Sequence, residues 1–119
     1  KAGDKPVAIS THIPLLSISS QIIKGPTVGM EESSIITNAK EIIEILERHN
    51  VKLVLQGHLH FLEDINYNGI HYITGGAVSS NWWEGSRFGM EEGFLKIDIS
   101  GEKFDWEYVD FGWEVQSKN

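Results

Sequence analysis

An amphipathic segment between two short apolar runs most restricts the fold of this chain. From Ser34 to Asn50, Ile and Leu recur at three- and four-residue spacing, which predicts a helix with one apolar face. The flanking runs, "PVAIST" (residues 6–11) and "VKLVLQ" (residues 51–56), are aliphatic and β-branched, which favours buried strands. The order strand, helix, strand predicts a β-α-β unit with two parallel strands and a right-handed crossover.

The segments outside this unit are less regular. Residues 12–33 are rich in Pro, Gly and Ser and predict a long irregular loop, a feature that is often functional. After the second strand, Asn-Gly at 68–69 and Ser-Gly at 100–101 predict two hairpins, so four antiparallel strands are expected. The chain is therefore predicted to be one α/β domain or a large part of one, with β-α-β followed by antiparallel hairpins.

Composition excludes several classes of function. The 119 residues carry a net charge of −7 and no stripe of Lys and Arg, so binding to nucleic acid through a basic face is not expected. Cysteine is absent, which leaves nitrogen and oxygen atoms as the only metal ligands. No apolar run approaches the roughly 20 residues of a membrane span, and composition does not decide the compartment.

Three of the five histidines follow the two predicted parallel strands directly. His12 follows the first strand, and His58 and His60 follow the second after Gly57. Ligands of α/β sheets bind beyond the carboxyl ends of the strands, so these three imidazoles are expected to lie close together. In an extended segment His58 and His60 would project to the same side, and Gly57 would permit a sharp turn before them. Three neutral imidazoles suit Zn, Mn or Fe.

The other two histidines are expected to be structural. His49 ends the predicted helix, where an imidazolium complements the helix dipole. His71 alternates within a predicted strand. A single histidine in such a setting is more often a surface or core residue than a metal ligand.

Several segments, taken in order, resemble those of a known family. "STHIPL" (residues 10–15) and "VLQGHLH" (residues 54–60) resemble the single-histidine and Gly-His-x-His motifs of the calcineurin-like metallophosphoesterases. "GGAVSSNWWEG" and "GMEEGFLKIDI" (residues 75–85 and 89–99) resemble the segment that follows in many bacterial members. The resemblance covers nearly the whole chain, but only the C-terminal half of the family's catalytic domain.

The resemblance implies an α/β fold that forms the C-terminal half of a four-layer α/β/β/α sandwich with two metal ions at the sheet edge. Residues 1–119 would be the C-terminal portion of a single domain. By motif, His12 and His58 would bind one ion and His60 the other, the ions being divalent or trivalent Mn, Fe or Zn. The implied activity is hydrolysis of a phosphomonoester or phosphodiester by a hydroxide that the two metals activate.

The chain departs from the family pattern in what it lacks. The Asp-x-His, Gly-Asp-x-x-Asp and Gly-Asn-His motifs are absent, and with them the bridging aspartate, the asparagine ligand and the histidine that assists the leaving group. We therefore expect this chain alone to be inactive, with activity on a phosphate-ester substrate confined to the full-length protein. A half-sheet with an exposed apolar edge or face is also expected to pair, for example with a second copy.

The glycine-rich loop over residues 76–93 carries four candidate substrate-binding residues: Asn81, Trp82, Trp83 and Arg87. On this hypothesis the tryptophans wall a pocket or stack on a ring, and Arg87 contacts a phosphate oxygen. The alternative, favoured for one of the two tryptophans, is that they bury the loop and that Arg87 is a surface charge. The two carboxylates of "GMEEG" predict a solvated turn.

Two other classes of protein stay open. His58 and His60 followed by Glu63 are similar to a cupin pattern, in which two histidines and a glutamate hold one metal, although the preceding helix argues against it. The second alternative is a non-catalytic domain whose histidines have a structural or metal-binding role.

Overall fold

The computed structural model describes residues 2–116, and the predicted β-α-β unit is present. The elements in chain order are β1 (Val7–Ser10), α1 (Ser19–Lys24), a short 3-10 helix (Glu32–Ser34), α2 (Ala39–Leu46), β2 (Val51–Gln56), β3 (Glu63–Tyr67), β4 (Ile70–Thr74), β5 (Gly93–Ser100) and β6 (Lys103–Asp110). Within residues 2–116, no helix is both long enough and apolar enough to cross a membrane.

The first four strands form one mixed sheet in the order β1-β2-β4-β3. Strands β1 and β2 are parallel, as predicted, and β3 pairs antiparallel with β4. The four strands after β2 pair as antiparallel hairpins, as expected, and β4 also pairs in parallel with β2, which was not predicted. Strand β4 is almost entirely buried and β3 is largely exposed, so the more apolar strand takes the central position.

The two predicted hairpins are present. Asn68 and Gly69 form the β3–β4 turn with φ values of +49° and +77°, the positive pair that a tight two-residue turn of this type requires. Strands β5 and β6 form a separate two-stranded antiparallel sheet. Ser100 pairs with Lys103, so the turn between them lies one residue later than predicted.

The predicted helix over residues 34–50 is real but shorter, since α2 covers only Ala39–Leu46. At its start, the Ile36 N–H donates to the Pro14 carbonyl (2.9 Å), so a tertiary hydrogen bond replaces a helical one. After Glu47 the amides of Arg48 and His49 bond three residues back, which tightens the last turn. The predicted loop over residues 12–33 is irregular except for α1 and the start of the 3-10 helix.

Helix α2 covers one face of the four-stranded sheet. The buried cluster on this face consists of aliphatic side chains and one tyrosine: Leu15, Ala39, Leu46, Val51, Val54, Ile70 and Tyr72. The helix supplies two of these residues, and its apolar face is the one that the sequence pattern predicted.

The β5–β6 hairpin contacts the opposite side of the sheet. The Trp106 indole N–H donates to a carboxylate oxygen of Asp64 (2.9 Å), and the ring of Phe104 lies 5.0 Å from that of His71, centroid to centroid. The described chain is thus mixed α/β: α2 packs on one face of the four-stranded sheet, and the β5–β6 hairpin packs on the other.

Candidate functional site

Strands β1 and β2 end side by side, and their backbone ladder continues into the loops that carry the histidines. The Thr11 N–H donates to the Leu55 carbonyl and the Gly57 N–H donates to the His12 carbonyl, both at 2.9 Å. A Cβ at position 57 would lie 3.4 Å from the His12 carbonyl oxygen and 3.8 Å from the Nδ1 atom of its ring. Both are ordinary van der Waals distances, so a side chain at position 57 would touch the His12 loop without displacing it.

Gln56 fixes the loop that follows His12. Its side chain is buried; Oε1 accepts from the N–H groups of Leu15 (2.8 Å) and Leu16 (3.2 Å). Its Nε2 donates to the Leu16 carbonyl (2.7 Å) and to the Thr74 hydroxyl (3.0 Å). Sequence reasoning treated Gln56 only as the end of a strand, although an amide closing an apolar strand was a signal of such a role.

The structure brings His12 and His58 together, as the order of the strands predicted. His12 Nε2 and His58 Nδ1 are 3.2 Å apart, and both residues are exposed. Two nitrogens bound to one zinc ion at tetrahedral geometry lie about 3.3 Å apart, so the pair fits one metal ion. The same distance also permits a hydrogen bond between the imidazoles. Within residues 2–116, no group of three His, Asp or Glu side chains is placed to hold a metal.

His58 and His60 both have positive φ, so the extended backbone on which the expected same-side arrangement rested is not present. The Leu59 N–H donates to the Gly57 carbonyl (2.9 Å) and closes a three-residue turn around His58, whose φ is +72°. His60 has φ +49°. A left-handed backbone is costly for residues other than glycine, and such positions cluster at functional sites.

His60 lies against the glycine-rich loop. Its Nδ1 is 2.8 Å from the Ser80 carbonyl oxygen. A carbonyl can only accept, so this contact places the proton on Nδ1 and leaves the Nε2 lone pair free to bind a metal. The imidazole also stacks on Trp82, with 4.3 Å between ring centroids and 21° between planes.

Arg87 lies between two aromatic rings of the same loop. Its guanidinium carbon is 5.2 Å from the Trp82 ring centre and 4.8 Å from that of Phe88, both within range of a cation–π contact. Its Nε is buried and has no hydrogen-bond partner in the described part of the chain. No ion pair joins Arg87 to a carboxylate of residues 2–116. The guanidinium of Arg87 is thus held between two aromatic rings, and no described carboxylate neutralises its charge.

Ser80 links these two parts of the loop and was missed by the sequence reasoning. It is fully buried, and its hydroxyl donates to the Met90 carbonyl (2.5 Å) and accepts from the Arg87 N–H (3.0 Å). Its own carbonyl is the one that holds His60. A serine in a Gly- and Ser-rich loop gives no signal of this kind from sequence alone.

The other residues of this loop have different surroundings. Trp83 lies near Trp113 (5.3 Å between ring centroids) and Phe111 (6.5 Å), in the segment after β6, and is 45% exposed; it does not bury the loop against the sheet. Asn81 holds a turn through its backbone with Glu84 and Gly85. Neither Trp83 nor Asn81 lines the cavity next to His58.

That cavity has a volume of about 250 Å³ and lies between α1 and the glycine-rich loop. His58, Trp82 and Arg87 line one part, and the α1 residues Ser19 and Ser20 line another. Its volume is below the ~300–1,000 Å³ of sites for drug-sized ligands, so it accommodates one group of a substrate.

An ion pair also borders this cavity. Lys24 Nζ lies 2.7 Å from a carboxylate oxygen of Glu31, and both residues line the cavity. The hydrogen bond and the charge of Lys24 hold the pKa of Glu31 below its ordinary value. Arg87, by contrast, has no such partner among the residues that the structure describes.

Glu92 and Glu63 have surroundings that differ from those considered for them from the sequence. The expected solvated turn at "GMEEG" was wrong for Glu92, which is 1% exposed and accepts from the Gly85 N–H (3.2 Å). Glu63, the third residue of the cupin-like alternative, accepts from the Ile18 N–H (3.3 Å) and the Thr74 hydroxyl (3.2 Å). It begins a strand of the α/β sheet and does not join the histidines.

The chain was compared with family models and with known proteins. No protein-family model matches the chain. The chain is similar to a probable cyclic nucleotide phosphodiesterase from Xenorhabdus bovienii, with 29% identity over 97 residues. The match covers 79% of this chain and 36% of that protein, so the chain spans about a third of the length of this relative.

Proposed function

We propose that this chain is the C-terminal portion of a calcineurin-like metallophosphoesterase domain, and that the whole protein hydrolyses a phosphomonoester or phosphodiester. The observation that carries the proposal is the facing pair of His12 Nε2 and His58 Nδ1, 3.2 Å apart beyond two adjacent parallel strands. The similarity to a protein named as a probable cyclic nucleotide phosphodiesterase supports the same reaction class.

In this proposal the three histidines serve two metal ions of the Mn, Fe or Zn type. His12 and His58 hold one ion, and the free Nε2 of His60 holds the other. When bound, the ions supply Lewis acidity and lower the pKa of water at the site. The Ser80 carbonyl keeps the proton of His60 on Nδ1, which orients the ring toward its ligand.

Arg87 would contact a phosphate oxygen of the substrate. With a net charge of −7, the chain as a whole repels an anionic ester, so local cations must offset that repulsion. Within residues 2–116 no carboxylate forms an ion pair with Arg87, and Arg87 lines the cavity beside His58. Trp82 lines the same cavity, whereas Asn81 and Trp83 stay predicted substrate contacts.

The remaining ligands would come from an N-terminal portion that adds to the sheet at β1. Within the described residues, β1 pairs with β2 on one side only, and Ala8 and Ser10 of β1 are exposed. An unpaired strand edge is where further strands add. In the proposed whole protein, this addition completes a four-layer sandwich; in its absence a second copy of the chain can pair there.

The test compares the full-length protein with residues 1–119 alone. Both are assayed for hydrolysis of p-nitrophenyl phosphate, bis-p-nitrophenyl phosphate and cyclic nucleotides, with bound metal measured by mass spectrometry. We expect metal-dependent hydrolysis, lost on chelation and restored by Mn²⁺ or Zn²⁺, only in the full-length protein.

His58→Ala is expected to abolish that activity, and His49→Ala, in the exposed turn after α2, is the matched control. Turnover by residues 1–119 alone would overturn the domain assignment. A full-length protein that neither binds metal nor hydrolyses any of these esters would overturn the function.

A further inference from the structure

The indole of Trp82 touches both functional parts of the site. One contact is the stacked imidazole of His60, 4.3 Å away, and the other is the guanidinium of Arg87, 5.2 Å from the ring centre. Its neighbour Trp83 has neither contact and lies near Phe111 and Trp113. Of the two adjacent tryptophans, Trp82 therefore contacts the candidate site and Trp83 does not.

We propose that Trp82 is a positioning residue that holds His60 and Arg87 at a fixed separation, so that a metal ion and an anionic group of the substrate meet in register. The inference rests on the proposed function, because it takes His60 as a metal ligand and Arg87 as a phosphate contact. It goes beyond that function by assigning the residue that couples the two.

The backbone of the loop supports this role. Trp82 has φ +53°, and Ser80 and Phe88 also lie in the left-handed region, with φ +45° and +49°. Such conformations persist in residues other than glycine only where surrounding contacts over-determine them. The contacts here are the hydroxyl bonds of Ser80 and the packing of Arg87 between Trp82 and Phe88. Trp83, with φ +68°, shares this strain, so these contacts hold the loop as a whole, and Trp82 within it, in one conformation.

The chemistry of the stack also fits a positioning role. A ring packed on a metal-binding imidazole restricts its rotation, and outer partners of metal ligands affect metal affinity strongly. A ring under a guanidinium fixes its plane without consuming its N–H donors, whereas a carboxylate partner would occupy them. Trp82 thereby orients Arg87 and leaves it able to bind an anion.

The first test uses the full-length protein with Trp82→Ala, Trp82→Phe and Trp106→Phe. Trp106 lies on the hairpin, where its indole donates to Asp64, and serves as the matched control. We expect Trp82→Ala to lower metal affinity about tenfold. With metal saturating, it should raise KM about two- to fivefold and leave kcat unchanged. Trp82→Phe, which keeps a ring, should restore both properties to within about twofold of the wild type.

The second test does not depend on activity. The metal-free protein is titrated with Co²⁺ while tryptophan emission is recorded. Because Trp82 stacks on His60, we expect Co²⁺ to quench emission in the wild type and in Trp106→Phe, and most of this response to be lost in Trp82→Phe. Circular dichroism of each variant confirms that the fold is retained.

The outcomes separate the two proposals. If the wild type is an active metalloenzyme and Trp82→Ala matches Trp106→Phe in metal affinity and KM, the role of Trp82 is overturned while the function stands. Quenching that persists in Trp82→Phe has the same consequence. If the wild type neither responds to Co²⁺ nor hydrolyses phosphate esters, the proposed function is overturned and the role of Trp82 with it.

Discussion

His71 differs from His12 and His58 in the polar contacts that its side chain makes. His71, on β4, places Nδ1 2.9 Å from the Asp64 carboxylate, which also accepts from Trp106, and its ring lies against Phe104. Within residues 2–116, the polar side-chain contact of His12 and His58, beyond the ends of β1 and β2, is with each other, and both residues are exposed. His71 thus connects the four-stranded sheet to the β5–β6 hairpin, whereas His12 and His58 are accessible to a ligand.

The backbone shows the same difference. The strands that carry His71 and its partners have ordinary extended geometry, with the left-handed Asn68 confined to their hairpin turn. The two segments around the candidate site hold six of the left-handed residues other than glycine: His58, His60, Ser80, Trp82, Trp83 and Phe88. Stability is thus expected from the sheet, and strain is concentrated where a ligand would bind.

The largest effect is expected from His58→Ala in the full-length protein. Loss of outer partners of metal ligands costs about 10–100-fold in affinity, so loss of a ligand itself should cost at least about 100-fold. The side chain is exposed, so the metal-free protein should keep its free energy of unfolding. Isothermal titration with Zn²⁺ and chemical denaturation check both statements, and an unchanged affinity would remove the distinction between the two groups of histidines.

Asp64→Ala tests the other group. It removes the partner of both His71 and Trp106, and we expect a loss of about 1–2 kcal/mol in the free energy of unfolding. Metal affinity should match the wild type, since Asp64 does not contact His12, His58 or His60 in the structure. A weakened metal site in a variant that is still folded would contradict the separation of roles.

His58→Gly measures the strain directly. Glycine adopts φ +72° without steric cost, so the metal-free variant should be about 1 kcal/mol more stable than His58→Ala, even though both lack the imidazole. Urea denaturation of the two variants side by side gives this difference. Equal stability would show that the turn around His58 is not strained.

The smallest effect is expected from Tyr72→Phe, which changes only the core. The Tyr72 side chain is fully buried, and its hydroxyl has no hydrogen-bond partner within residues 2–116, so its removal should stabilise the protein by somewhat under ~1 kcal/mol. Burial, followed by the charge of Glu47, raises the pKa of Tyr72 above its ordinary value of 10.0.

The pH dependence follows from the direction of that shift. A raised pKa means that the folded state favours the neutral phenol, so this contribution to stability is complete below pH 10 and is lost as the pH rises through the raised pKa. Tyr72→Phe should therefore gain stability over the wild type above pH 10, beyond the constant difference at neutral pH. Denaturation curves on either side of pH 10 measure this, and a parallel decline of both proteins would assign the alkaline loss elsewhere.

Local patterns in the sequence predicted most of the elements. Strand β2 and the Asn68-Gly69 hairpin depend on residue type and short spacing, so they were placed correctly. The proximity of His12 and His58 also followed, because a β-α-β unit brings the ends of two parallel strands together.

Features that depend on distant contacts were not predictable in the same way. The start of α2 is displaced by a hydrogen bond between Ile36 and Pro14, and the burial of Glu92 depends on how a glycine-rich loop folds on itself. The arrangement of His60 and Trp82 requires left-handed backbone at both residues, which is uncommon for any residue other than glycine and is not signalled by the sequence. Metal binding at these histidines stays a prediction.

The single pairing of β1 has a consequence for local unfolding. An edge strand held on one side opens more readily than the central strands, and its amide protons should exchange with solvent first. A ligand bound across His12 and His58 would join the end of this strand to its inner neighbour and bind only the closed form. In residues 1–119 alone, where β1 is an edge strand, exchange protection of residues 7–11 would then rise with metal concentration, so β1 would report occupancy at the site.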